Sequence, residues 1–130
     1  MQARAAAALP AQDLDRAKAW YSEKLGLTPT GVDLTGGVVY ELSRGTGFLL
    51  FQSSGKPSGT HTQMALEVQD FDATLRDLKA RGVKLEEYDL PGLKTVNGVA
   101  EMGDLKAAWF KDSEGNVIGI GTPVPVTATR

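Results

Sequence analysis

Two short stretches of this chain follow the same script. Asp13-Leu14-Asp15 and Asp70-Phe71-Asp72 each follow an apolar strand-like run and open an apolar helical stripe, at an offset of 57 (70 − 13). In the second stretch Met64, Leu66 and Val68 alternate with Gln63, Ala65 and Glu67, the period of a half-buried strand. Asp70 then stands where a helix N-cap belongs, and Phe71, Leu75 and Leu78 follow at helical spacing. A chain that repeats one strand-to-helix unit must place two copies of it in the fold.

Each copy continues in the same way. The first predicts a strand from Ala3 to Ala11 ending near Pro10, then a helix from Asp13 to Leu25 closed by Gly26. Leu14, Ala17, Tyr21 and Leu25 form its apolar stripe. Three strands follow, at 27–34, 38–43 and 47–53, before a Ser/Gly/Pro-rich connection at 54–60. The second copy predicts a strand at 63–68, a helix at 70–81, a strand at 83–88, a long loop at 89–103, and strands at 106–111 and 117–121. The tail from Thr122 reads as frayed. A helix covers one face of its sheet, so the other face must meet something else. The expected fold is therefore α+β. Two βαβββ modules, at about 3–54 and 61–121 of a single domain spanning 1–130, form a curved mixed sheet with a concave cleft and helices outside.

Composition narrows the function. A net charge of −2 with no Lys/Arg cluster disfavours nucleic acid and anionic membranes. No apolar run is long enough to cross a bilayer, and the segment before Leu9 reads as mature chain. The absence of cysteine removes disulfides, thiolate metal sites and thiol nucleophiles, which fits the cytoplasm.

The run Asp13-Leu14-Asp15-Arg16-Ala17, with Trp20-Tyr21 and Lys24-Leu25-Gly26, resembles the opening motif of the vicinal oxygen chelate superfamily. That superfamily groups glyoxalase I, bleomycin-resistance proteins and extradiol dioxygenases. Ala65-Leu66-Glu67-Val68 with Asp70, and Phe110-Lys111-Asp112-Ser113-Glu114-Gly115-Asn116, resemble its second-half motifs. The last departs from the usual Asp-Pro-Asp-Gly-Asn at Ser113 and Glu114. The resemblance spans residues 3–121 and implies the same paired βαβββ architecture.

Metal-dependent relatives place four His, Gln or Glu ligands in the cleft. Carried over by position, these fall on Ala6, near Leu50, on Gln63 and on Gly119. In the strand 47–53 Gln52 is the one ligand-capable side chain apart from serine. Ala and Gly have no donor, and one neutral amide does not hold a divalent ion. No metal and no cofactor are expected, and no catalytic residue is assigned. His61 reads as an exposed loop-end residue, since an acid–base role needs a partner and the sequence shows none.

Strand alternation turns Ala6, Ala8, Gln63, Ala65, Gly119 and Gly121 toward the cleft and leaves it roomy. Tyr40, Phe48, Phe51, Met102 and Trp109 would shape its rim, although each could equally serve the core. Trp20 is expected in helix packing or an interface, and the loop 88–103 as a lid. The candidate ligand-binding residues are Tyr40, Phe48, Phe51, Gln63, Met102, Trp109 and Gly119. The expected function resembles the bleomycin-resistance branch, with metal-independent sequestration of an apolar or aromatic drug or natural product by a homodimer. The alternative is a metal-independent lyase, isomerase or hydrolase using an acid–base pair from His61, Glu67, Glu41, Tyr40 or Glu101.

Overall fold

The computed structural model describes residues 1–126, so the end of the tail lies outside the described residues. The first module runs β1 (Ala7–Ala11), α1 (Leu14–Leu25), β2 (Gly31–Val32), β3 (Val38–Glu41) and β4 (Gly47–Gln52). Its sheet has the order β1-β4-β3-β2, with β1 parallel to β4 and the other pairs antiparallel. The Asp13 carboxylate accepts from the Arg16 N–H at 3.0 Å and starts α1, while Gly26 at φ +66° ends it.

The second module runs β5 (Thr62–Glu67), α2 (Phe71–Ala80), β6 (Asp89–Leu90), β7 (Leu93–Lys94), β8 (Val99–Met102), β9 (Leu105–Lys111) and β10 (Val117–Gly121). Its sheet has the order β5-β10-β9-β8 and copies the first, with β5 parallel to β10. Asp70 caps α2 as Asp13 caps α1, accepting from the Ala73 N–H at 3.0 Å.

Two expectations fail here. Residues 83–88 do not form a strand and contribute a single bridge, Leu85 to Phe110. The outer strand of this sheet is instead Val99–Met102, inside the stretch expected to be loop. Glycine density concealed it. Asn97 (φ +52°) and Gly98 (φ +81°) make a tight reverse turn before β8, and Gly92 (φ +78°) turns the β6–β7 hairpin.

The two modules share one hydrophobic core, drawn from the helix-facing sides of both sheets. Tyr21 of α1 packs against Tyr40 and Phe48, ring centroids 5.8 and 5.4 Å away, and those two rings stack at 4.7 Å. Trp20, in the next position of α1, lies 6.0 Å from Phe110 of the second sheet. The helix C-termini also meet. Lys24 Nζ donates to the Arg81 carbonyl at 3.0 Å, and Arg81 Nη1 donates to the Glu23 carbonyl at 3.3 Å. Lys24 and Arg81 are separated by the repeat offset of 57, so residues in equivalent places touch each other, as about a pseudo-twofold axis.

A buried polar cluster ties the β9–β10 turn to the start of α1. Asp112 Oδ2 accepts from the Tyr21 hydroxyl at 2.6 Å and from Asn116 Nδ2 at 2.8 Å. Its Oδ1 accepts from the N–H groups of Glu114 and Asn116, both at 2.9 Å. Asn116 Nδ2 also donates to the Pro10 carbonyl in β1 at 3.0 Å. Burial and the adjacent Asp112 carboxylate push the Tyr21 hydroxyl far above its ordinary pKa, so it stays a donor.

Glu114, at one of the motif's departures, takes a bidentate hold on Arg16 at 2.8 and 3.0 Å and accepts from the Asp13 N–H at 3.0 Å. Arg16 above all, against the opposing effect of burial, lowers the Glu114 carboxyl from 4.5 to about 2, with the Asp13 N–H and the Ser113 hydroxyl assisting. A depressed carboxylate pKa stabilises the fold above the unfolded value, and that stability is lost as pH falls from about 4.5 toward 2. The shift corresponds to at most about 3 kcal/mol. Chemical denaturation of the wild type and Glu114→Gln at pH 6 and pH 3 checks this. The wild type should lose more stability between the two pH values than the variant, and parallel losses would remove Glu114 as the cause.

The Tyr40 hydroxyl is buried with no hydrogen-bond partner. Tyr40→Phe should therefore raise stability by about 1 kcal/mol, because it removes a desolvated group that forms no bond. A thermal melt reads this as a rise of about 4 °C; a fall would mean that the hydroxyl has a partner.

Candidate functional site

Each sheet has a second face, turned away from the shared core. Register assigns it. In the first sheet Ala8 pairs with Leu49, Pro10 with Phe51, and Leu49 with Val39, so these five residues share the open face. In the second, Gly119 pairs with both Ala65 and Trp109, and Ala107 pairs with Gly121 and Ala100. Ala8 and Ala65 are exposed, and Phe51 is 36% exposed. Both open faces are thus small or apolar surfaces only partly covered within one chain.

Trp109 forms the most developed corner. A Cβ added at Gly119 would lie 3.2 Å from Trp109 Nε1 and 3.4 Å from Thr62 Cγ2, so the glycine lets the indole edge lie close against the β10 backbone. The Tyr88 ring meets Trp109 edge-on at 5.6 Å. A β-bulge sits alongside, because Val117 pairs with Thr62 but Ile118 pairs with Met64, leaving Gln63 as the extra residue of β5. Alternation alone would send Thr62 to the helix side. The bulge brings it beside Gly119.

The structure thus brings Trp109 and Gly119 together and adds Thr62 and Tyr88, which sequence reasoning missed, while Gln63 stands in β5 as the bulged residue next to Thr62. Tyr88 lay at the end of a supposed strand, and a bulge has no marker in a run such as His-Thr-Gln-Met. Met102 lies on the same face but opposite Leu105, four residues along β9 from Trp109 and about 13 Å away at strand rise. Phe51 belongs to the other sheet.

Tyr40 and Phe48 are corrected. Both are 1% exposed, stack on each other and face α1, so they are core and do not line the open face. The reason is parity: Phe48 and Phe51 are three apart in one strand and cannot share a side. Leu50 is fully buried on the same core face, so Leu49, opposite Ala8 as Gly119 is opposite Ala65, is the open-face position in β4. Gln52 is committed elsewhere, bonding the Leu14 N–H and the Gln12 carbonyl.

The stretch 88–103 is not a loose lid. Thr95 Oγ1 donates to Glu87 Oε1 at 2.7 Å and receives the Tyr88 N–H at 2.8 Å, while Glu87 Oε1 also receives the Gly98 N–H at 2.6 Å. The acid–base candidates are dispersed. His61 is exposed with Nδ1 2.8 Å from Ser58 Oγ, Tyr40 is core, and Glu67 accepts from the Val124 N–H at 3.3 Å. Glu101 lies on the helix side, in a cleft of about 620 Å³ between α2 and β8–β9 that Lys79, Lys94 and the Lys106–Asp72 ion pair also line. Among the described residues, no three His, Asp or Glu side chains come together in a group that could hold a metal ion.

Paired βαβββ modules, each with a core-facing and an open sheet face, define a class of small α+β proteins. The chain belongs to the Glyoxalase/Bleomycin resistance protein/Dioxygenase superfamily, whose family model matches residues 4–120. Among solved structures it is similar to a glyoxalase/bleomycin resistance protein from Catenulispora acidiphila, at 26% identity and TM-score 0.66, covering 95% of this chain and all of that one. It is also similar to TnmS3, an antibiotic binding protein from Streptomyces sp. CB03234, at 24% identity and TM-score 0.71, covering 95% of this chain and 99% of that one. The fosfomycin resistance protein FosX from Listeria monocytogenes shares the fold at 13% identity and TM-score 0.69, with 95% of each chain covered. No curated protein sequence matches the chain. Among the described residues no helix is long and apolar enough to cross a membrane.

Proposed function

We propose that this protein is a metal-independent binding protein that sequesters an apolar, flat aromatic drug or natural product in the cytoplasm. One observation carries the reading. Carried over through the resemblance, the four positions where metal-dependent relatives hold ligands fall on Ala6, Leu49, Gln63 and Gly119, which together offer a single uncharged amide. That donor set does not fit a divalent ion, which needs several charged or imidazole ligands. What remains is an apolar surface with Trp109 as its largest ring, suited to burying ligand area at about 25 cal/mol per Å². The antibiotic-binding relative supports the same reading.

A homodimer completes the site. Each open face is partly exposed in one chain, and a second copy laid across it would turn it into an enclosed cleft. On this reading residues 1–130 are one domain of two modules, and two such chains build the cleft.

The test is to titrate flat aromatic natural products while following Trp fluorescence, then recover each compound for mass spectrometry. Quenching with the compound returned intact supports sequestration, whereas a changed compound makes the protein an enzyme. Sedimentation at micromolar concentration reads the oligomeric state. A monomer that binds as well as the dimer would remove the second copy from the site.

A further inference from the structure

Asn97-Gly98 is the one Asn-Gly step in the chain. A glycine after asparagine leaves the next backbone nitrogen unshielded, and the pair is prone to lose the asparagine amide. The Gly98 nitrogen would give up its proton and attack Asn97 Cγ. A C–N bond forms, the Cγ–Nδ2 bond breaks, and Nδ2 leaves as ammonia with the proton. Water then opens the five-membered imide at either carbonyl, to aspartate or to an isoaspartyl link. The fold opposes the first step at three points. The Gly98 N–H donates to Glu87 Oε1 at 2.6 Å, so a carboxylate stands where the nitrogen anion would form and raises its energy. Gly98 is buried although Asn97 is exposed, and Leu85 packs where a Gly98 side chain would lie. The turn itself, with Asn97 at φ +52° and Gly98 at φ +81°, is closed on both sides. Val96 donates to the Val99 carbonyl at 2.8 Å and Val99 to the Val96 carbonyl at 3.1 Å, and ring closure requires Asn97 to rotate out of that turn.

We infer that Asn97 is a deamidation site that Glu87 keeps shut in the folded chain. Thr95 Oγ1, donating to Glu87 Oε1 at 2.7 Å, holds the guard in place. What is guarded is the entry to β8. An isoaspartyl link adds one carbon to a two-residue turn, so Val96 and Val99 can no longer exchange both bonds and the outer strand loses its start. An aspartate keeps the turn and adds a negative charge to the cleft that Lys79, Lys94 and Lys106 line. Neither outcome involves Trp109 or depends on which ligand the protein binds.

The full chain is incubated at mildly alkaline pH, once folded and once unfolded in guanidinium chloride, and the mass of the tryptic peptide 95–106 that holds Asn97 is followed over time. Asn97 should convert readily in the unfolded chain and much more slowly in the folded one. Glu87→Ala should speed conversion in the folded protein about tenfold or more, the worth of one hydrogen bond to a charged group. Glu87→Gln keeps an acceptor for Gly98 and Thr95 without the charge, and should fall between the two. All three proteins should convert at one rate when unfolded, which separates the guard from any effect of the local sequence. Equal rates for the folded and unfolded wild type would overturn the inference, and so would a folded Glu87→Ala no faster than the wild type. Slower conversion in Glu87→Ala would make Glu87 the base that assists the attack, the opposite of a guard. If a thermal melt shows that Glu87→Ala does not fold, Glu87→Gln decides, and a rate no higher than that of the wild type sinks the proposal.

Discussion

Replacing Asp112 with alanine should destabilise the fold by about 3–5 kcal/mol. One carboxylate there serves four donors: the Tyr21 hydroxyl, Asn116 Nδ2, and the N–H groups of Glu114 and Asn116. Removing it strands all four in a buried site, and Asn116 loses the partner that orients it toward the Pro10 carbonyl. A domain of this size holds about 5–15 kcal/mol in total, so the loss would lower the melting temperature by more than about 10 °C. Tyr21→Phe removes one donor and leaves Asp112 three, so it should cost only about 1–2 kcal/mol. The contrast is the check. Equal costs for the two variants would mean that the cluster acts through Tyr21 alone, and a small cost for both would mean that water replaces the lost bonds.

Trp109→Ala should weaken the binding of a flat aromatic ligand, with 2-naphthol as a simple probe, at least tenfold, about 1.4 kcal/mol or more, with little change in melting temperature. Trp109 is only half-buried, and its ring faces the open side of the sheet beside Gly119, away from the core that Phe110 occupies. Truncation therefore removes contact area from a ligand rather than from the packed interior. Trp109→Phe keeps a stacking ring and should recover most of the affinity. If the indole serves only the scaffold, the pattern reverses: affinity holds and the melting temperature falls.

The helices and their ends were legible because their causes are local. Asp13 and Asp70 cap through their own side chains within three residues, and Gly26 ends α1 by adopting a left-handed φ that it alone tolerates cheaply. The resemblance, carried by the motifs at 13–26 and 110–116, agrees with the family assignment. Strand β8 escaped because its neighbours Asn97, Gly98 and Gly103 read as loop, when they are the two turns bounding a four-residue strand. Composition marks where a chain turns, and it does not say whether a short stretch between two turns finds a sheet edge. Tyr40 and Phe48 were misplaced because an apolar residue in a sheet with two apolar faces gives no sign of its side.

On its own, the sequence established the twofold repeat, the helix boundaries and the α+β class, since each of these depends on residue type and spacing. It also placed Gln63, Trp109 and Gly119 among the candidates. Which side each strand shows to the core was decided by tertiary pairing alone, because one inserted residue at Gln63 re-aims its neighbour, and an insertion is defined only against the partner strand. The same pairing separated Phe51 from Phe48, moved the β4 site position from Leu50 to Leu49, and set Tyr88 against Trp109. Local chemistry fixed the elements, and long-range register fixed which side chains meet at the site.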